Sequence, residues 1–144
     1  KKKHLGGPQT IDDKSGPSAV LRNMAHVIPA DREEWHMMVT DRFYTSVALS
    51  LELLSRKIFT VGTIQTRRIG FPEALKDGKK KRPETIRRGA YRIARNKKVP
   101  EMVACVWMDS KPVHLLVTGA STHEQTTGTF DDVVADVYPS NFFL

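Results

Sequence analysis

Cysteine is almost missing from this chain. Its 144 residues include one, Cys105, which excludes both a disulfide frame and a Cys-rich zinc module. Because Cys105 lies inside an apolar run, it is expected to be a small buried hydrophobe in a protein of a reducing, intracellular setting. No apolar run approaches the roughly 18 residues that a membrane-spanning helix needs, and no signal-peptide pattern is present, so no membrane partner is expected. The five histidines, at positions 4, 26, 36, 114 and 123, have no metal-ligand spacing with one another or with Cys105. There is no P-loop, no glycine-rich dinucleotide fingerprint, no Gly-x-Ser-x-Gly elbow and no internal repeat.

Acidic residues are also scarce, but in one region only. Residues 66–98 hold thirteen Lys/Arg against three Asp/Glu, whereas residues 99–144 hold one against six. The middle of the chain is therefore about +10 and the tail about −5, within a net charge of +7. A basic block of this size can follow a phosphate backbone by Coulomb attraction and counterion release. The same block also fits a solvated loop carrying an import signal at Lys79-Lys80-Lys81-Arg82.

What is present is a pattern of short elements. Residues 1–17 form a Lys-, Gly- and Pro-rich arm that starts Lys1-Lys2-Lys3 with no methionine, as expected of an internal piece of a longer protein. Ser18 then caps an amphipathic helix over 18–28, carried by Val20, Leu21, Met24, Val27 and Ile28 and ended by Pro29. His36 to Thr40 is expected as a buried strand with Met37 and Met38 in the core. Ser46 caps a mostly buried helix over about 47–57, and "IFTVGTI" (58–64) is a second buried strand. Strand, helix and strand within about 30 residues make a βαβ unit with parallel strands.

After a basic loop with a short helical turn (66–89), "AYRIAR" (90–95), "EMVACVWMD" (101–109) and "PVHLLVTG" (112–119) predict three antiparallel strands. Trp107 is expected to pack on the core. The tail from 121 to 144 has no clear pattern, and "DDVVADVY" suits one helical turn or strand. The fold class is α/β, a βαβ unit around 36–64 followed by an antiparallel β region at about 90–119. By composition the segments divide as 1–17, 18–65, 66–89, 90–120 and 121–144.

In an open α/β sheet, ligands gather at the carboxyl ends of the strands. Asp41 stands at one such end and Gln65 to Arg68 at the other, so an acid and a basic cluster share a rim. Hard cations such as Mg²⁺ take carboxylate oxygens, and a pair of them can cleave a phosphodiester, but only where two or three acids converge. By spacing alone, Asp41 equally suits a cap for the helix that follows it.

The stretch "VTDRFYTSVALSLELLSRKIFTVGTIQTRRIGFPEALKD" resembles the piggyBac-like transposases in their DDE transposase domain. The resemblance rests on Asp41-Arg42-Phe43-Tyr44-Thr45-Ser46, Gly62-Thr63, Arg67-Arg68, and Pro72-Glu73 with Leu75. "VACVWMDSKPVHLLVTGAS" resembles the β-rich insertion of the same family, and the likeness covers roughly residues 18–121. It implies an RNase H-like core with an inserted β region, and Mg²⁺-dependent cut-and-paste transposition of DNA in the nucleus. It makes Asp41 the second catalytic acid and a metal ligand. It also makes Arg68 a DNA contact, with Gln65 standing where the family has a basic residue; Arg42, Arg67, Lys79, Lys80, Lys81 and Arg82 are candidate DNA contacts by their charge.

The family's first acid has no counterpart in the polar arm at Asp12 or Asp13. Asp131, Asp132 and Asp136 lie near the place of the third without its Gly-Gly-Val-Asp setting, and the Cys-rich tail is missing. The expectation is a transposase-derived fragment that is inactive as this chain. The alternative is a non-catalytic basic DNA-binding module.

Overall fold

Serine and proline decide where the chain first becomes helical. In the computed structural model, which describes residues 14–29, 31–76 and 81–120 and the backbone of 135–136, helix α1 runs Gly16–Val27. Its cap is Ser15, whose side chain accepts from the Ser18 N–H at 3.3 Å. The start expected at Ser18 is thus moved back by about a turn. Pro17 occupies the first turn, where its missing N–H costs nothing, so the proline lies inside the helix instead of preceding it. The arm's residues 1–13 and the tail's 121–134 and 137–144 lie outside the described residues, and so do Lys79 and Lys80.

Strand β1 (His36–Thr40) leads to helix α2 (Val47–Ser55) and strand β2 (Ile58–Thr63). The two strands are parallel, with His36 opposite Ile58 and Thr40 opposite Gly62. Ser46 caps α2 by accepting from the Leu49 N–H at 3.1 Å. The helix stops at Ser55, short of the expected Lys57, because Lys57 takes a left-handed φ of 57° that turns the chain straight into β2. Arg56 meets Glu52 at 2.6 Å.

Beyond the 3-10 turn at Glu73–Leu75, the antiparallel strands β3 (Tyr91–Arg95), β4 (Met102–Met108) and β5 (Pro112–Thr118) follow, then a two-residue β6 (Ala135–Asp136). β2 pairs with β5, so the βαβ unit and the meander make one sheet, in the order β1-β2-β5-β4-β3-β6.

Period-two alternation divides this sheet into two unlike faces. One carries Ile58, Ile64, Met102, Ala104, Val106, Met108 and Leu116, all buried against α2 and against Phe71 and Leu75. Helix α1 lies outside α2, with Val20, Leu21, Met24 and Ile28 on Leu49, Leu53 and Ile58. The layer's few polar groups bond to each other. The Thr60 hydroxyl donates to Ser50 Oγ at 3.0 Å, and the Thr60 N–H donates to Thr118 Oγ1 at 2.8 Å.

The other face aligns Met37 and Val39 with Phe59 and Val61, then Val117, Leu115 and Val113, then Cys105 and Trp107. No helix among the described residues covers it. Here two expectations fail. Met37 is 65% exposed and Val39 77%, so β1 is not a buried strand and Met37 is no core partner of Met38. Trp107, 50% exposed, points away from the packed layer. Alternation told which residues share a face, but not whether anything lies on it.

Cys105 on this second face is half-buried, and burial pushes its thiol up to about 11. A thiol raised this far holds roughly 200-fold less thiolate at pH 8 than an ordinary one near 8.5. Disulfide-exchange labelling at pH 8 should therefore be slow for the folded chain and fast in denaturant. Equal rates would show that Cys105 is not placed as described.

Candidate nucleic-acid interface

Strand polarity builds the interface. The carboxyl ends of β1 and β2 point to one end of the sheet. Antiparallel pairing brings the start of β5, the end of β4 and the start of β3 to the same end. Backbone bonds then tie the intervening loop onto this rim. The Arg82 N–H donates to Ser110 O at 3.3 Å, and the Gly89 N–H to Met108 O at 2.7 Å. Asp41 and Gln65 to Arg68 therefore share one rim, as the strand-end argument expected, and Arg42, Lys81 and Arg82 lie along it too. Arg87, Arg88 and Lys111 join them. The last three went unremarked in the sequence, although the βαβ-plus-meander polarity would have placed them there.

Asp41 has a specific local role. Its Oδ1 accepts from the Phe43 N–H at 2.9 Å and the Tyr44 N–H at 3.3 Å, and its carbonyl accepts from the Thr45 N–H at 3.0 Å. It stabilises the tight turn 41–45 and does not cap α2, which Ser46 does. The Thr45 hydroxyl donates to Asp41 O at 2.7 Å and lies 2.8 Å from Thr40 Oγ1.

Gly62, the register partner of Thr40, makes this close fit possible. A Cβ there would come within 2.3 Å of Thr45 Oγ1, 2.5 Å of Thr40 Oγ1 and 2.6 Å of Thr40 O. The glycine of "Gly-Thr" is thus a spacing device that lets the Asp41 turn sit against β2. Arg68, one strand over, donates through its guanidinium to Phe43 O and so straps the turn from the other side. Its Nε is buried with no acceptor among the described residues.

Arg67 is exposed, and its Nε donates to Gln65 Oε1 at 2.9 Å. Between the two loops lies a cleft of about 420 Å³ lined by Phe43, Ser46, Ala48, Gln65, Arg67, Arg68 and Ile69. Farther along the rim Arg88 meets Asp109 at 2.6 Å. The Ser110 backbone N–H and then Arg88 hold the Asp109 carboxyl below its ordinary range. A lowered carboxyl favours the folded state above the ordinary carboxylate pKa and loses that contribution as pH falls through its own lower value.

Among the described residues no three His, Cys, Asp or Glu side chains converge on a metal position. Asp41 is one exposed carboxylate, and a two-ion centre needs two or three. The described residues by themselves do not fit such a centre.

An acid and several cations thus lie at the carboxyl ends of a parallel strand pair in a mixed sheet. Residues 2–133 match the model of the family described as Transposase IS4, and the chain belongs to that transposase family. Its fold is similar to that in the cryo-EM structure of the piggyBac transposase synaptic complex with hairpin DNA, at 20% identity and a TM-score of 0.59. The match covers 78% of this chain and 22% of that one, so the chain spans about a fifth of the transposase it resembles. The family is thus shown by the sequence match, and the likeness to the piggyBac transposase is one of fold. No curated protein matches it.

Gly62→Ala should overpack the strand ends and destabilise the chain by about 1–3 kcal/mol in urea unfolding. Asp41→Asn, which keeps an acceptor oxygen for the Phe43 and Tyr44 N–H groups, should unfold close to the parent. Asp41→Ala, which removes that acceptor, should be less stable than either. Equal stability of all three would show that the turn does not depend on the side chain.

Proposed function

We propose that this chain supplies one catalytic acid, Asp41, of a piggyBac-like DDE transposase with an RNase H-like core, and that it holds DNA along the rim around that acid. One observation carries the proposal. Strand polarity gathers Arg42, Arg67, Arg68, Lys81 and Arg82 at the end of the sheet where Asp41 stands. Lys79 and Lys80, adjacent in sequence, extend the basic run. Cations gathered on one rim can bind phosphates without reading sequence. The similar transposase is described in a synaptic complex with hairpin DNA, and this supports DNA as the substrate.

The family's chemistry runs on a divalent cation, taken here as Mg²⁺, to which Asp41 would contribute one carboxylate. With no second or third acid converging among the described residues, the chain alone is assigned DNA binding and not strand transfer. A nuclear setting accompanies the substrate, with Lys79-Lys80-Lys81-Arg82 as the import signal.

Titrating a duplex at 50 and 200 mM salt tests the reading. About six phosphate contacts imply a loss of affinity on the order of 10³-fold between the two. Arg67→Ala with Arg68→Ala should flatten the log–log salt slope by about two. The absence of any complex at low salt would remove the DNA reading. Mg²⁺-dependent cleavage by this chain, abolished by Asp41→Asn, would overturn its assignment as inactive alone.

A further inference from the structure

The cations of the basic loop do not all face solvent. Lys81, Arg87 and Arg88 are exposed, and so is Lys111 across the rim, whereas Arg82 is half-buried. Its Nη1 donates to the Ile86 carbonyl and lies 3.5 Å from the Pro83 carbonyl. Its Nε is buried with no acceptor among the described residues. An arginine that binds phosphate presents its planar fork of N–H groups to the ligand. Arg82 has turned part of that fork onto its own loop and withdrawn Nε from water. Leaving a donor buried without an acceptor costs free energy, so the inward pose has to be offset by what it holds together.

What it holds is the backbone that carries the neighbouring cations. Pro83 O also accepts from the Ile86 N–H at 3.0 Å, which closes a turn over 83–86. Ile86 and Ala90 pack against the core beside Phe71, Leu75 and Met108. The loop is bonded to the sheet on either side of this turn. The Arg82 N–H reaches Ser110 O at 3.3 Å, and the Gly89 N–H, at a φ of 94°, reaches Met108 O at 2.7 Å. Arg87 and Arg88 lie between those two anchors, directly after the carbonyl that Arg82 holds.

We infer that Arg82 is a positioning residue and not a phosphate contact. Its guanidinium fixes the Ile86–Arg87 peptide and so sets where Arg87 and Arg88 leave the loop to stand on the rim. The inference rests on the DNA-binding reading and gives one of its cations a different part. Asp109 holds the outer end of Arg88 at 2.6 Å, and Arg82 holds the backbone behind it. Lysine cannot replace arginine here, because an ammonium is a point charge with no planar fork to lay along two carbonyls.

Charge and geometry separate in three variants of the full 144-residue chain: Arg82→Lys, Arg82→Ala and Arg87→Ala. Each is titrated with one paired duplex at 50 and 200 mM salt, and amide hydrogen exchange at Ile86 is followed without DNA. Arg82→Lys keeps the charge and loses the fork. It should bind as weakly as Arg82→Ala, both roughly 10-fold below the parent at the lower salt. In both, the Ile86 N–H should exchange about 10-fold faster, since its turn has lost the strap. Arg87→Ala should leave that exchange within about 2-fold and lower the log–log salt slope by about one. Far-ultraviolet circular dichroism and a urea midpoint check that all three variants are folded. Parent-like binding by Arg82→Lys, or unchanged Ile86 exchange in Arg82→Ala, would overturn the positioning role and leave the DNA reading intact. Absence of binding by the parent would overturn the DNA reading, while the exchange comparison still decides whether Arg82 holds the loop.

Discussion

The carboxyl ends of two parallel strands meet here with no room for one methyl group, and the functional end of the molecule depends on that contact. Thr40 and Thr45 fill the space over Gly62 with their hydroxyls. The turn between them is thereby pinned to β2 instead of standing out in solvent. Asp41 sits inside that turn and Phe43 at its tip, so acid and ring inherit their positions from a residue with no side chain. Arg68 closes the arrangement from the neighbouring loop by bonding the Phe43 carbonyl. A backbone this short, held at both ends, keeps its geometry without a ligand present.

Much of the fold was legible in local pattern. Apolar spacing and the Ser46 cap marked the βαβ unit, and alternation with turn residues marked the meander, because each signal is contained within a dozen residues. What failed was non-local. Met37, Val39 and Trp107 have the composition of core residues, and composition does not say whether a second layer lies above them. Ser15 displaced Ser18 as the cap because Pro17 fits a first turn as readily as it precedes one.

The site was half legible. A strand-end acid beside Arg67 and Arg68 followed from the parallel pair, but Arg87, Arg88 and Lys111 reach the rim only through strand polarity across the whole sheet. Gly62 carried a signal without a reason. As part of a motif it was visible, but its cause lies in a threonine pair 17 to 22 residues upstream.

Concentrating cations at one end of a sheet has an energetic consequence for the free chain. Like charges gathered along the rim repel one another, and part of that is offset locally, as by Asp109 against Arg88 and Glu73 against Lys76. The remainder is relieved when a polyanion lies on the rim, which favours association and makes it salt-sensitive. The buried Ser50–Thr60–Thr118 chain sits on the opposite footing, every member bonded and none exposed to screening. Salt therefore acts on the rim far more than on the packing beneath it.

The second sheet face has a consequence for the whole molecule in solution. Phe59, Val61, Val113, Leu115 and Trp107 run broadside to the strands, while the cations stand at their ends. The chain is in effect a surfactant, with a charged head and a greasy flank at right angles to it. Rising ionic strength screens repulsion between the cationic ends, whereas burial of the apolar flank is not weakened by screening, so salt acts in opposite senses on the two surfaces.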